Sequence, residues 1–171
     1  MFRTLDDFRT CWIEESKATL RVLEVLTGHA LGHAVAEGHR DLRRMAWHLV
    51  ESVVEMPGHM GLGIEGKHLI EGGFIVAPPE SAAEIREAYA TASASLLRGL
   101  EAWSDGDLLV EDELYGERWK RGFTLQVLVL HQAHHRGQMT VLMRQAGLKV
   151  PEVYGPTKEG WAAYGMAEPK V

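Results

Sequence analysis

Apolar residues recur at three- and four-residue steps in four separate segments of the chain, the pattern of amphipathic helices. The pattern predicts helices at about Leu5 to Leu26, Arg40 to Met56, Ser81 to Trp103, and Gly122 or Phe123 to Ala146. Stretches that hold most of the glycine and proline separate these segments. Because no convincing set of alternating strands accompanies them, the sequence predicts an all-α protein built as a four-helix bundle.

Local signals support three of the helix ends. Ser81 is followed three residues later by Glu84, the spacing of a capping box, and Gly147 is well placed to close the last helix. Pro57 is expected to end the second helix, since proline removes a backbone donor. The long connections after the first and second helices mean that an up-down-up-down order is not assured.

Three stretches fall outside the predicted helices. The segment EGGFIVAPP, residues 71–79, is expected to add a short extended piece, and SDGDLLVEDELYGE, residues 104–117, is expected to be an acid-rich loop. Residues 147–171 contain three of the chain's prolines and the aromatic residues Tyr154, Trp161 and Tyr164. We therefore expect an ordered C-terminal arm that clasps the body or a partner, within a single domain spanning 1–171.

Composition narrows the possible partners. With 171 residues, 46% of them hydrophobic, the chain is long enough for one core, and its net charge of -6 gives no basic field for nucleic acid. One cysteine, Cys11, cannot form an internal disulfide. We see neither a signal-peptide pattern at the amino end nor a membrane-spanning apolar run. These features predict a cytoplasmic protein that binds neither nucleic acid nor membrane.

The last predicted helix carries histidines on a face that otherwise reads as buried. At about 100° per residue, His131 and His135 lie roughly 40° apart, with Gln138 about 20° from His131. The same arc carries Val127, Leu128 and Leu142, whereas the opposite side carries Gln126, Arg136, Thr140 and Arg144. We therefore expect His131, His135 and Gln138 to point inward and Arg136 to face water, paired with an acid on a neighbouring segment.

A histidine pair at this spacing is weak evidence alone. Nine histidines in a chain of this length give about 0.5 such pairs by chance, and His29 and His33 form a second one in a glycine-rich stretch where a stable helix is doubtful. A buried pair of imidazoles nevertheless needs hydrogen-bond partners, and a shared metal ion would satisfy both rings. Two histidines one helical turn apart can ligate the same ion.

The second predicted helix offers a third ligand. Its narrow polar stripe consists of Asp41, Arg44, His48, Glu51, Ser52 and Glu55. Periodicity alone leaves two interpretations open: the stripe is the solvated face of the helix, or it lines a polar cleft inside the bundle. Three histidines without a fourth protein ligand would make an open site of the catalytic type, since closed structural zinc sites usually take four ligands.

These residues resemble the DinB/YfiT-like family of small metal-binding four-helix proteins, unrelated to the DNA polymerase that shares the DinB name. HQAHHRGQ, residues 131–138, is similar to the family's H-x-x-x-H-R-G-Q signature, and WHLVESVVEMPGHM resembles its second-helix segment. The resemblance implies a bundle of that type, with His48, His131 and His135 as ligands of one divalent ion. It also favours the cleft interpretation of the stripe. His134 matches no ligand position.

The resemblance leaves the reaction open. Some relatives are similar to thiol-dependent S-transferases, which use a metal-bound low-molecular-weight thiol as cosubstrate, and others resemble a maleylpyruvate isomerase. We rank a thiol transferase acting on a small molecule first, with a metal-dependent hydrolase or a non-catalytic, metal-stapled stress-response or binding module as alternatives. Zinc and nickel are the leading metals, although imidazole also suits copper and iron. Family habit and the aromatic arm suggest a homodimer.

Residues beyond the three ligands have weaker claims. Helical position makes Glu51, Glu55 and Gln138 the nearest candidates to orient the ligands or act as a base. The plainer interpretation of both glutamates, as solvated or salt-bridged carboxylates, is the stronger one. Gly137 is expected to permit a close helix crossing.

Overall fold

Five α-helices account for most of the secondary structure in the computed structural model, which describes residues 1–66, 70–71, 74–75 and 77–170. They are α1 (Leu5–Glu24), α2 (Gly28–Leu31), α3 (Leu42–His59), α4 (Ala82–Gly99) and α5 (Arg121–Gln145). The four long helices correspond to the four predicted segments, and the prediction of a mainly helical protein is confirmed. The short helix α2 forms one turn in the stretch where a stable helix was doubtful.

Side chains just before the helices explain where several of them begin. The carboxylate of Asp41 accepts a hydrogen bond from the backbone N–H of Arg44 at 2.7 Å, and Ser81 does the same for Glu84 at 3.4 Å. At its carboxyl end, α5 stops before Gly147, whose φ of 77° only glycine adopts readily. Both predicted boundary residues, Ser81 and Gly147, are confirmed.

The predicted end of α3 was too early. The helix continues through Pro57 to His59. Pro57 is buried in the last turn, and its carbonyl accepts hydrogen bonds from the backbone N–H groups of Met60 and Leu62 at 3.0 and 3.1 Å. The missing proline N–H removes one helical bond, but this packing and these two bonds hold the final turn in place.

The four long helices surround one apolar core. Helices α1 and α3 each pack against both α4 and α5. The largest fully buried apolar side chains include Phe8, Trp12, Leu42, Leu49, Ile85, Tyr89 and Leu96. No helix in the described residues has an apolar stretch of the length that a bilayer crossing requires.

Two small antiparallel pairs of strands lie in the connections between the helices. Strands β1 (Ile70–Glu71) and β2 (Phe74–Ile75) confirm the short extended piece, although several residues of this connection lie outside the described part of the chain. Strands β3 (Glu111–Leu114) and β4 (Glu117–Lys120) form a hairpin where a loop was expected. The hairpin was not predicted because its strands show little alternation of apolar and polar residues: only Leu114 in them is buried.

The C-terminal arm packs onto the body of the molecule, which is one of the two arrangements predicted for it. Val150 is buried, and the guanidinium of Arg21 in α1 donates to the carbonyl of Glu152 at 3.1 Å. The hydroxyl of Tyr154 donates to the carboxylate of Glu15, also in α1, at 2.7 Å. A short 3-10 helix, Lys158–Tyr164, lies near the end of the arm.

Candidate metal centre

Three histidines from two helices meet beside the core. His48 comes from α3, and His131 and His135 lie one turn apart on α5. Their ring centroids are 4.9, 4.7 and 4.4 Å apart, and one nitrogen from each ring lies within 4.8 Å of the other two. His135 is 9% exposed and the other two are partly buried. The structure therefore brings together the three residues that the sequence analysis named as ligands.

The outer nitrogens of two rings are engaged by neighbouring side chains. The Nδ1 of His48 is 3.3 Å from a carboxylate oxygen of Glu51, and the Nδ1 of His135 is 2.8 Å from the amide oxygen of Gln138. Each Nδ1–H donates to an oxygen, which leaves the Nε2 lone pair free to bind an ion. The guanidinium of Arg44 holds both oxygens of Glu51 at 3.0 and 2.9 Å.

Burial and mutual proximity favour neutral imidazoles. Burial lowers the pKa of His131 to about 4, with further lowering from His135 and His48 nearby. Burial likewise lowers the pKa of His135, although its hydrogen bond with Gln138 acts in the opposite direction. Neutral imidazole is the form that binds metal, so His131 and His135 are ready to bind at neutral pH without first losing a proton.

The geometry fits a divalent ion. The Nε2 atoms of His131 and His135 face each other at 3.2 Å. Zinc–nitrogen bonds of about 2.0–2.1 Å in a tetrahedral site put ligand nitrogens about 3.3 Å apart. Within the described ranges, the cluster of potential ligand side chains consists of these three histidines alone. A bound ion would therefore keep a position for water or substrate.

An open cleft of about 450 Å³ adjoins this centre. Its walls come from the loop before α3 and from the facing sides of α3 and α5, and they consist of Val35, His39, Arg40, Met45, His135, Gln138, Val141 and Leu142. His135 thus belongs both to the triad and to the cleft. A molecule bound in the cleft would therefore contact one residue of the triad.

The three additional candidates have different surroundings. Glu51 is 3% exposed and contacts His48, so the polar stripe of α3 is buried at this point and the solvated interpretation was wrong for it. Gln138 is exposed and was not expected to be, but it still contacts His135. Glu55 lies two turns beyond His48 and accepts a hydrogen bond from Tyr115 at 3.1 Å.

None of the other histidines that the structure describes joins the cluster. His134 is exposed and its ring lies 4.9 Å from that of His135, at the edge of the centre. His29 is exposed on α2 and His33 is partly buried just after it. Among the residues described, neither belongs to a group of side chains that could hold a metal ion, so the spacing of this pair does not indicate a metal site.

The expectation that Arg136 faces water was wrong. Its side chain is 1% exposed, and it donates to the carbonyl of Glu15 and to the hydroxyl of Thr19, both at 2.8 Å. It also contacts the Glu15 carboxylate and the Tyr154 hydroxyl. Pairing with an acid was predicted, whereas burial could not be read from α5 alone because α1 and the arm cover that side.

Two further residues of α5 were not predicted correctly: Gln132 was overlooked, and Gly137 lies in surroundings other than those expected. Gln132 is fully buried, and its amide donates to the carbonyl of Leu49 at 3.0 Å and to the hydroxyl of Ser52 at 2.8 Å. It therefore ties α5 to the turn of α3 that follows His48. Gly137 was expected at a close helix crossing, but a Cβ there would meet no atom of the described residues within 4 Å.

The helices and the three histidines define a class of protein: a mainly helical fold with an open three-histidine cluster. A sequence model of the DinB family matches residues 1–170, and the chain belongs to this family. An uncharacterized protein from Bacillus subtilis strain 168, YrdA, is 38% identical over 172 residues that span all of both chains.

Two solved structures resemble the fold. A DinB-like protein from Bacillus cereus shares 37% identity, with a TM-score of 0.83 over 90% of this chain and 100% of its own. A second, YjoA from Bacillus subtilis, shares 16% identity, with a TM-score of 0.67 over 86% of this chain and 97% of its own. The second likeness concerns the fold alone.

Proposed function

We propose that this protein is a metal-dependent enzyme whose divalent ion, zinc or nickel, is bound by His48, His131 and His135. The observation that carries the proposal is the convergence of three imidazole nitrogens, within 4.8 Å of one another, beside an open cleft. As a specific reaction we propose transfer of a low-molecular-weight thiol to a small electrophilic molecule. Metal-dependent hydrolysis is the second candidate, since an open three-histidine site also suits it.

The chain's own residues supply the positioning. When bound, a divalent ion at such a site lowers the pKa of a coordinated thiol or water and polarises a substrate oxygen. Glu51 and Gln138 hold the rings of His48 and His135 so that the same nitrogen of each faces inward. Arg44 fixes Glu51 in turn through two hydrogen bonds. We assign these three side chains as positioning residues.

The cleft favours an enzyme over a metal-stapled module without turnover. A purely structural ion gains nothing from an adjoining space of about 450 Å³, whereas a substrate needs one. The apolar side chains of Met45, Val141 and Leu142 line this space beside His135, where they would exclude water from part of a bound molecule. This arrangement supports a small organic molecule as the substrate.

Metal analysis tests the proposal. We expect about one zinc or nickel ion per chain in wild-type protein, and a loss of most of it in His48→Ala. His134→Ala is the matched control, because His134 is an exposed histidine next to the cluster and should leave the metal content unchanged. Equal metal content in all three proteins would rule out the site.

Activity assays separate the candidate reactions. Metal-loaded and metal-free proteins are incubated with a thiol plus an electrophile panel, and with ester and amide panels. A transferase consumes thiol and electrophile together in the metal-loaded form only, whereas a hydrolase cleaves esters or amides without thiol. A metal-bound protein inactive in both panels, whose melting temperature nevertheless falls strongly with chelator, would favour the stapled module.

We also propose that α1, α3, α4 and α5 form the four-helix bundle of the DinB/YfiT-like type, in one domain that assembles as a homodimer. The packing of α1 and α3 against both α4 and α5 supports the bundle. The homodimer was expected from family habit and from Tyr154, Trp161 and Tyr164 of the arm; Tyr154 and Tyr164 donate hydrogen bonds within the chain, so family habit is its main support. Light scattering of the purified protein tests it.

A further inference from the structure

The cleft beside the triad combines an open apolar surface with a positive charge. Val35 and Val141 line it with 60% and 55% of their surfaces exposed, and Leu142 lies beside Val141. Covering such exposed valine side chains with an apolar molecule lowers the free energy, because apolar surface is removed from water. The charged side chain in the same wall is the guanidinium of Arg40.

Arg40 is an available cation on a fixed stretch of backbone. Its side chain is exposed and forms no ion pair with any of the residues that the structure describes. The next residue, Asp41, caps α3 and pairs with Ala34 in a β-bridge, so the loop that carries Arg40 is tied at both sides. The nearby arginines differ, because Arg43 pairs with Glu80 and Arg44 with Glu51.

Arg40 shares the cleft with His135, a histidine of the metal centre. The guanidinium and the imidazole line the same space of about 450 Å³, which is large enough for one small organic molecule to contact both. Arg40 and His135 therefore bound one continuous binding space.

We propose that this cleft binds a small organic acid, whose apolar body covers Val35, Val141 and Leu142 and whose anionic group pairs with Arg40. The guanidinium presents a planar pair of donors that matches a carboxylate, and it fixes the orientation in which the rest of the molecule meets the centre. The inference rests on the proposed function and names its substrate class. Arg40 is then a specificity-determining residue, since a neutral analogue lacks its partner.

Two probes with the same apolar body test the inference: 4-phenylbutyrate, which is anionic, and 4-phenylbutanol, which is neutral. Each is titrated into the metal-free, full-length protein labelled with nitrogen-15, so that binding of the carboxylate to an ion does not contribute. Molecules with about a dozen non-hydrogen atoms bind in the millimolar range. We expect shifts of amide signals around Val35, Arg40 and Val141, and binding of the alcohol about fivefold weaker than that of the acid.

Variants locate the anion. Arg40→Gln should weaken 4-phenylbutyrate binding about tenfold and change 4-phenylbutanol binding less than about twofold. Arg43→Gln, three residues away with the same change of charge, should alter neither by more than about twofold. Val141→Asn, at an exposed position that tolerates substitution, should weaken both probes about threefold. The spectra themselves report whether each variant is folded.

Several outcomes would overturn the inference. These are equal affinity for the acid and the alcohol, equal effects of Arg40→Gln and Arg43→Gln, shifts confined to another surface, or no saturable binding up to about 10 mM. A zinc titration of the same samples separates this inference from the proposed function. Zinc binding without acid binding refutes the organic acid alone, whereas acid binding at Arg40 without zinc binding refutes the metal centre alone.

Discussion

At the scale of single residues, the side chains behind the histidines decide which ring nitrogen faces the centre. Glu51 takes the Nδ1–H of His48, and Gln138 takes that of His135. Each contact fixes a tautomer and a ring orientation at the same time. The glutamate is buried and held by Arg44, so it is the more rigid of the two supports, whereas the exposed Gln138 is the more easily displaced.

The first prediction concerns Glu51. Glu51→Gln keeps the size of the side chain but removes the charge that strengthens the hydrogen bond with His48, so zinc affinity should fall about ten- to a hundredfold. Competition with a chromophoric chelator measures the affinity. Glu55→Gln is the matched control, since this carboxylate pairs with Tyr115 and should leave zinc affinity unchanged. Equal affinities for the two variants would show that Glu51 does not support the site.

Individual residues also show how much of the site could be predicted from the sequence. His131 and His135 could be paired from the sequence because their spacing fixes their relation on one helix. The polar stripe of the second helix offered His48 as their partner but left it between a solvated and an interior position, and only the family resemblance favoured the interior one, because contacts between helices leave no trace in the periodicity of either one. Arg136 was misjudged for the same reason: its exposure depends on Glu15 of α1 and Tyr154 of the arm.

At the scale of elements, the capped start of α4 and the end of α5 were predictable, whereas the end of α3 and the hairpin were not. Capping uses groups within a few residues, so Ser81 and Gly147 mark their helices in any context. The hairpin β3–β4 instead depends on a turn at Tyr115 and Gly116 with φ of 53° and 80°. Tyrosine rarely adopts a left-handed conformation, and a turn signal with asparagine or aspartate in its place would have been easier to recognise.

The second prediction compares two glycines of α5. A Cβ at Gly122 would lie 2.5 Å from the carbonyl oxygen of Phe2, so Gly122→Ala should destabilise the protein by about 1–3 kcal/mol. Gly137 has no atom of the described residues within 4 Å of a Cβ, and Gly137→Ala should stabilise it by about 0.5–1 kcal/mol through the helix preference of alanine. Urea unfolding measures both. A destabilising Gly137→Ala would contradict the open surroundings assigned to that position.

At the scale of the whole molecule, one buried arginine joins three parts of the chain. Arg136 of α5 contacts Glu15 and Thr19 of α1 together with Tyr154 of the arm. Tyr154 in turn donates to the same carboxylate at 2.7 Å. The arm is therefore held at a charged pair that is shielded from solvent, in addition to the apolar contact of Val150 with the core.

The third prediction follows from this arrangement. Arg136→Met keeps most of the apolar volume but leaves the Glu15 carboxylate without its cation in a largely buried position, which should cost about 3 kcal/mol of unfolding free energy. Arg144→Met, at an exposed position on the same helix, should change it by at most about 0.5 kcal/mol. Urea unfolding provides the comparison. Similar stabilities for the two variants would mean that the buried pair contributes little.

The direct succession of His135 and Arg136 constrains how this protein can change over evolutionary time. Adjacent positions on a helix point about 100° apart, so one serves the cleft while the next anchors the opposite flank. In a regular helix, a single-residue insertion between them would rotate one side chain by about 100° relative to the other, so the cleft and the anchor would no longer both be served. Substitutions can therefore accumulate around this dipeptide, whereas length changes within that turn of α5 should be excluded.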